Sequence, residues 1–208
     1  AIGAQVAERS IALRKDDHAD AKVTFTPRPG LGLYQLTPPD NLPAILPQWG
    51  GVTPFALRSM DGFAFAGAPD THSAAFARDF NEVKALGALN SPIRTADQTA
   101  AAIFWTVQTA VPWHAAARAA AAAHGMSISE TARLFAMLSM ATADSQILAF
   151  AEKYSRPAWR PITAIREAAA LHDDRVEPDP DWAPLLGTPP HPEYPSAHSI
   201  FSGAAEAV

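Results

Sequence analysis

The sequence predicts an all-α protein, a bundle of antiparallel helices. Apolar residues recur at helical spacing through much of 74–171, and two capping boxes, Thr95-Ala-Asp-Gln98 and Ser127-Ile-Ser-Glu130, stand before Ala-rich or apolar runs. No stretch alternates apolar and polar residues as a half-buried strand would, and no repeat or low-complexity tract interrupts the chain. With 208 residues, 48% hydrophobic and 18% charged, the chain is long enough for one domain with its own core. The expected organisation is a single helical domain over 1–208, a helix tail and wrapping loop in 1–70 followed by a helical body in 71–208.

Residues Ala1 to Leu13 read as the tail of a helix, with Ile2, Val6 and Leu13 on one face. From Lys15 to Ser59, seven prolines and four glycines rule out long regular elements. Leu31, Leu33, Tyr34, Leu36, Leu42, Ile45, Leu46, Trp49 and Phe55 give this segment apolar groups to bury, so a loop wrapping a helical body is expected rather than a linker. Helices then follow over Ala74 to Leu89, Thr95 to about Ala110, and Trp113 to Ala123 behind Pro112, closed by Gly125. The longest helix runs from Ile128 to about Tyr154, striped by Leu134, Phe135, Leu138, Ala141, Leu148 and Ala149 and stopped by Pro157. A short helix is expected over Thr163 to Leu171 and an acidic loop over His172 to Pro180, and a last helix starts at Ala197 behind Ser196.

A net charge of −5 and a pI near 5.8, without a face-sized Lys/Arg cluster, exclude nucleic acid or an anionic membrane as the main partner. The absence of cysteine removes disulfides, thiolate catalysis and Cys-based metal sites. The most apolar stretch, Ala100 to Val111, is short and broken by Thr106, Gln108 and Thr109, so no membrane span is expected. The first residue is Ala1, with no charged-then-apolar leader behind it, which suggests a processed chain or a fragment. A soluble protein, in the cytosol or exported, fits this composition, and so does a homo-oligomer.

Two segments carry chemistry. Lys153 and Arg160, six residues between them and Pro161 following, flank a helix break, where a point charge and a planar fork can converge on one anion. In Pro195-Ser196-Ala197-His198, the proline fixes the approach to a helix start. The seryl hydroxyl, free backbone amides and an imidazole then meet at the positive end of the helix dipole, a setting that suits a tetrahedral oxyanion. Taken singly, Lys153, Arg160 and His198 read equally well as solvated helix-end charges or a capping histidine.

The ordered pair, Lys-x6-Arg-Pro followed by Pro-Ser-x-His, resembles the type 2 phosphatidic-acid phosphatase superfamily. The longer match, Lys153-Tyr…Trp159-Arg-Pro-Ile-Thr-Ala-Ile-Arg166…Thr188-Pro-Pro-His191-Pro-Glu193-Tyr-Pro-Ser196, is similar to its vanadium-dependent haloperoxidase branch. Upstream, Trp49-Gly-Gly-Val-Thr-Pro-Phe55, Asn81-Glu-Val-Lys-Ala-Leu-Gly87 and Arg94-Thr-Ala-Asp-Gln-Thr99 resemble bacterial members. The resemblance implies a helical bundle in which Lys153, Arg160, Ser196 and the amide of Ala197 hold the equatorial oxygens of vanadate or phosphate, with His198 as acid/base near the apical oxygen. It implies hydrogen peroxide, halide and a small organic substrate as partners, with phosphate as a competing anion. His191 stands where chloroperoxidases of the family tend to have Phe and algal bromoperoxidases His, which implies a bromide or iodide preference.

The chain departs from the family pattern twice. Ala197 replaces the usual Gly, which keeps the amide but adds a Cβ. The third motif, an Arg followed by the histidine that ligates vanadate directly or acts as phosphatase nucleophile, is absent from these residues, so a fragment of a longer chain is expected, or a partner chain that supplies it. The alternatives are an acid phosphatase using the same pocket and a truncated, catalytically incompetent relative. His18, His72, His114, His124 and His172 lack metal-ligand spacing and read as surface or structural. Asp173, Asp174, Glu177, Asp179 and Asp181 read as a solvated acidic turn rather than a calcium loop, Trp105, Trp113 and Trp182 as core, and Arg156 as a pocket-mouth cation or a surface residue.

Overall fold

A computed structural model describes residues 2–208, so Ala1 of the expected first helix lies outside the described residues. Seven α-helices carry the fold: α1 (Ile2–Arg14), α2 (Ala74–Gly87), α3 (Ala96–Phe104), α4 (Ala110–Ala123), α5 (Ile128–Ser155), α6 (Pro161–Arg166) and α7 (Ala197–Glu206). Short 3-10 turns occupy Trp49–Gly51 and Ala168–Leu171. Among the described residues there is no strand, only isolated bridges between Leu33 and Ala158 and between Ala88 and Pro184.

Helix starts form where the sequence places them. Both capping boxes close reciprocally: Thr95 accepts from Gln98 N while its own amide donates to Gln98 Oε1, and Ser127 and Glu130 do the same. Gly125, at φ +59°, ends α4 in the left-handed conformation that a Cβ disfavours. Pro112 sits in the first turn of α4, where the missing amide hydrogen has no intrahelical partner to lose.

Three expectations change. Helix α3 ends at Phe104 rather than near Ala110, because the Thr106 hydroxyl and amide both turn back to the Ile103 carbonyl and so compete with the helix ladder. Ile103, Trp105 and Val107 are consequently exposed rather than core, whereas Trp182 is buried and Trp113 is half-buried with Nε1 donating to Ser202 Oγ. The predicted Thr163–Leu171 helix is α6 followed by a 3-10 turn, terminated by His172 in the left-handed region.

The third change concerns the loop 15–59. Of its apolar residues only Tyr34 and Val52 are buried, and Leu31, Leu42, Ile45, Leu46 and Phe55 are exposed. Polar contacts hold the segment instead. Asp144, 3% exposed on α5, accepts from the amides of Phe55, Ala56 and Leu57 at 2.6, 2.8 and 2.9 Å. Backbone bonds run from Tyr34 N to Pro157 O, Trp159 N to Gly32 O and Ile45 N to Pro190 O. A Cβ on Gly50 would meet the backbone of Ala151 at 2.4 Å, so only glycine lets the 49–51 turn press this closely against α5. Helix α1 buries no residue; its end is tied down by Arg14, which donates to Thr53 O and Pro54 O and lies over the Phe55 ring.

The main core joins α2 (Ala77, Phe80) to 159–176 and Trp182. Fully burying each of its large side chains contributes roughly 1.5–3 kcal/mol. Helix α5 is the only described helix long and apolar enough to cross a membrane by length and composition. Its C-terminal half is instead packed against α7 and the 49–51 turn, and buries Thr142, Asp144, Ser145 and Lys153 beside its apolar residues. The predicted stripe therefore contributes only Leu138 and Ala149 to the buried set.

Candidate functional site

The end of α5, the start of α6 and the 189–198 segment meet around the two predicted cations. Lys153, in the last turn of α5, is 1% exposed, and its ammonium donates to Pro192 O at 2.7 Å and Glu193 O at 2.8 Å. Burial, reinforced by Arg160 and opposed by Glu193, pulls its pKa from 10.5 down to about 7. Arg160, the N-cap of α6 and 8% exposed, donates Nη2 to Pro189 O at 3.0 Å and pairs through Nη1 with the Glu193 carboxylate. Its Nε–H is buried and has no partner.

His191 lies amid these groups. Its Nδ1 is 3.0 Å from Pro192 O and 3.4 Å from Arg160 Nη2. A carbonyl can only accept, so this geometry assigns the proton to Nδ1. Burial first, then the charges of Arg160, Lys153 and His198, push the imidazole down to about 4, against the Pro192 hydrogen bond; the ring is neutral and packs edge-on to Phe150. Lys153 and His191 thus share the Pro192 carbonyl, and Arg160 lies beside the same ring, so the structure brings these three together.

The α7 side is open. Ser196 and His198 are exposed and Ala197 is half-buried, held by Gln146 Nε2 donating to the Ala197 carbonyl at 2.8 Å. Ser196 Oγ accepts from Ser199 N at 3.2 Å and from Ser199 Oγ at 3.0 Å, as an N-cap does. The amides of Ala197 and His198, in the first turn of a ten-residue helix, have no intrahelical acceptor. The His198 imidazole makes no hydrogen bond among the described residues. The Tyr194–Pro195 peptide that leads into this turn is cis.

Several groups around the site carried no signal in the sequence. Glu193 stands in the quoted motif without an assigned role. Tyr34 is 1% exposed with its hydroxyl unpartnered; burial raises its pKa and Arg160 opposes the rise. Tyr154, also raised by burial, donates its hydroxyl to Ile45 O. Arg156 pairs with Glu152 and donates to Phe65 O, a surface tie rather than a site cation. Asp173 is held by Arg175, which lowers its carboxyl to about 2.

Residues 133–208, which contain Lys153, Arg160, His191, Glu193, Ser196, Ala197 and His198, match the model of the VCPO second helical-bundle domain. The chain is thus similar to vanadium haloperoxidases, in sequence over this segment and in fold over nearly its whole length. It is 38% identical over 84 residues to a vanadium chloroperoxidase of Curvularia inaequalis, a match covering 35% of this chain and 13% of that protein. It superimposes on a crystal structure described as the first bacterial vanadium-dependent iodoperoxidase with a TM-score of 0.81 and 27% identity, over 98% of this chain and 51% of the other. The chain thus spans about half the length of that haloperoxidase.

Proposed function

We propose that this protein is a vanadate-dependent haloperoxidase, an oxidoreductase that oxidises halide with hydrogen peroxide and prefers bromide or iodide to chloride. One observation carries the reading: inside the segment that matches the chloroperoxidase domain, a buried guanidinium keeps an unpartnered Nε–H. An unpaired buried donor costs about 1–3 kcal/mol, which an oxyanion would relieve. The donor set fits vanadate: Lys153, Arg160, the Ser196 hydroxyl and the Ala197 amide are all hydrogen-bond donors, and a helix start favours negative charge.

In this reading Lys153, Arg160, the Ser196 hydroxyl and the Ala197 amide would hold the oxygens of the bound oxyanion, and His198 would hold or move a proton beside it. Lys153, with its pKa drawn to about 7, becomes fully charged when an anion replaces its carbonyl-only surroundings. Neutral His191 lines the site as a hydrogen-bonded aromatic wall and supports the bromide or iodide preference. When bound, vanadate supplies the chemistry of taking up hydrogen peroxide and presenting an activated oxygen to the halide. Phosphate is the competing anion. We assign the directly ligating histidine to residues outside this 208-residue stretch, on the same chain or a partner.

Vanadate, peroxide and bromide added to the complete protein with an activated carbon acid should give bromination that Arg160→Ala abolishes. The 208 residues alone should show little turnover, and robust bromination by them would contradict the placing of the ligand histidine. Vanadate-inhibited hydrolysis of a phosphomonoester, with no halide oxidation across pH and halides, would replace this reading with an acid phosphatase.

A further inference from the structure

We propose that Glu193 is the chain's own occupant of the anion position at Arg160, so that oxyanion binding is an exchange in which its carboxylate leaves. The proposal rests on the reading of Arg160 as an oxyanion-binding residue. A guanidinium cannot shed its proton, so a buried one requires an anionic partner whether or not a ligand is present. In this structure the partner is Glu193, on Nη1. The pair is lopsided: the Arg160 side chain is 9% exposed and that of Glu193 is 42% exposed. Losing the partner is therefore expensive for Arg160 and cheap for Glu193, whose carboxylate can return to water.

The backbone of Glu193 stays in place during such an exchange. Its amide donates to Ala158 O at 3.0 Å and its carbonyl accepts from Lys153 at 2.8 Å, so only the side chain needs to turn. There is room for that turn, because Glu193 lines two cavities of about 320 and 310 Å³ that share Val83 and Pro161. The engagement is also incomplete, since Glu193 takes Nη1 while Nε is left without a partner. A tetrahedral oxyanion presents several oxygens and can take Nε together with a terminal nitrogen, the fork geometry that favours Arg at such sites. Glu193 is thus a specificity-determining residue: it keeps Arg160 positioned in the empty site and sets a threshold that a weakly binding anion does not cross.

The test is equilibrium binding of inorganic phosphate and of vanadate to the complete protein at fixed pH, read by titration and by the ligand-dependent rise in melting temperature. Wild type is compared with Glu193→Gln, which keeps shape without charge, Glu193→Ala, and Arg160→Met. Both Glu193 variants should bind either oxyanion about five- to tenfold more tightly, the effect of deleting a competing, partly exposed charge. Affinity unchanged or weakened in both Glu193 variants, with Arg160→Met binding less than wild type, overturns the exchange and leaves the site reading intact. If no protein in the set responds to either anion, the site reading falls and the exchange falls with it.

Discussion

The two walls of the site are built differently. The cationic wall is dry and tied: Lys153 and Arg160 are 1% and 8% exposed and, Arg160 Nε apart, they are bonded to the 189–193 segment. The wall at the start of α7 is wet and free, with Ser196 and His198 exposed and two first-turn amides open. In the proposed site the charges of the dry wall would both hold the fold and meet the ligand, whereas groups in the open wall would serve a ligand at little structural cost. Mutations on the two sides should therefore separate stability from binding.

Arg160→Met should have the largest effect. It removes the ties to Pro189 and Glu193 together, and a loss of about 2–4 kcal/mol is expected in denaturant unfolding. A loss below about 1 kcal/mol would mean that the dry wall is not structural.

Lys153 sharpens the contrast through pH. Its folded pKa of about 7 lies below its unfolded value of 10.5, so between these limits the unfolded chain binds more protons than the folded one. Stability should then rise as pH increases above about 7, at most by about 1.4 kcal/mol per unit, and the gain should vanish as pH falls through 7. In Lys153→Met that component should be absent. Between pH 6.5 and 4 the buried neutral His191 acts in the same sense, its folded pKa of about 4 lying below 6.5, so stability should drop with acidification and His191→Phe should flatten the drop.

On the open wall the effects shrink. Ser196→Ala removes a helix cap and should cost about 1 kcal/mol. His198→Ala should change unfolding by less than about 0.5 kcal/mol, since the side chain is exposed and makes no hydrogen bond, while removing acid/base function in a complete enzyme. Thermal unfolding of both variants beside a halide-oxidation assay tests the separation.

Local chemistry was readable from the sequence and distant pairing was not. Caps at Thr95, Ser127 and Ser196 involve residues three apart, so their spacing alone announces them. The end of α5 and the place of Lys153 and Arg160 follow from Pro157 and Pro161 in the same way. Asp144 was invisible because its three amide partners lie more than 80 residues upstream, in a loop whose apolar content suggested burial rather than anchoring. Glu193 was equally hidden: a half-exposed acid in a proline-rich motif has no local sign that a buried guanidinium 33 residues earlier depends on it. Trp105 misled for the opposite reason, a large aromatic on an Ala-rich run that Thr106 turns out of the helix.

The central claim is that the two walls close on one oxyanion. A double-mutant cycle on vanadate affinity, pairing Arg160→Met on the dry wall with Ser196→Ala on the open one, measures this directly. The account predicts non-additive losses, with a coupling of about 0.5 kcal/mol or more because both residues touch the same ligand. Losses that simply add, or a Ser196→Ala variant that binds vanadate like wild type, would contradict it.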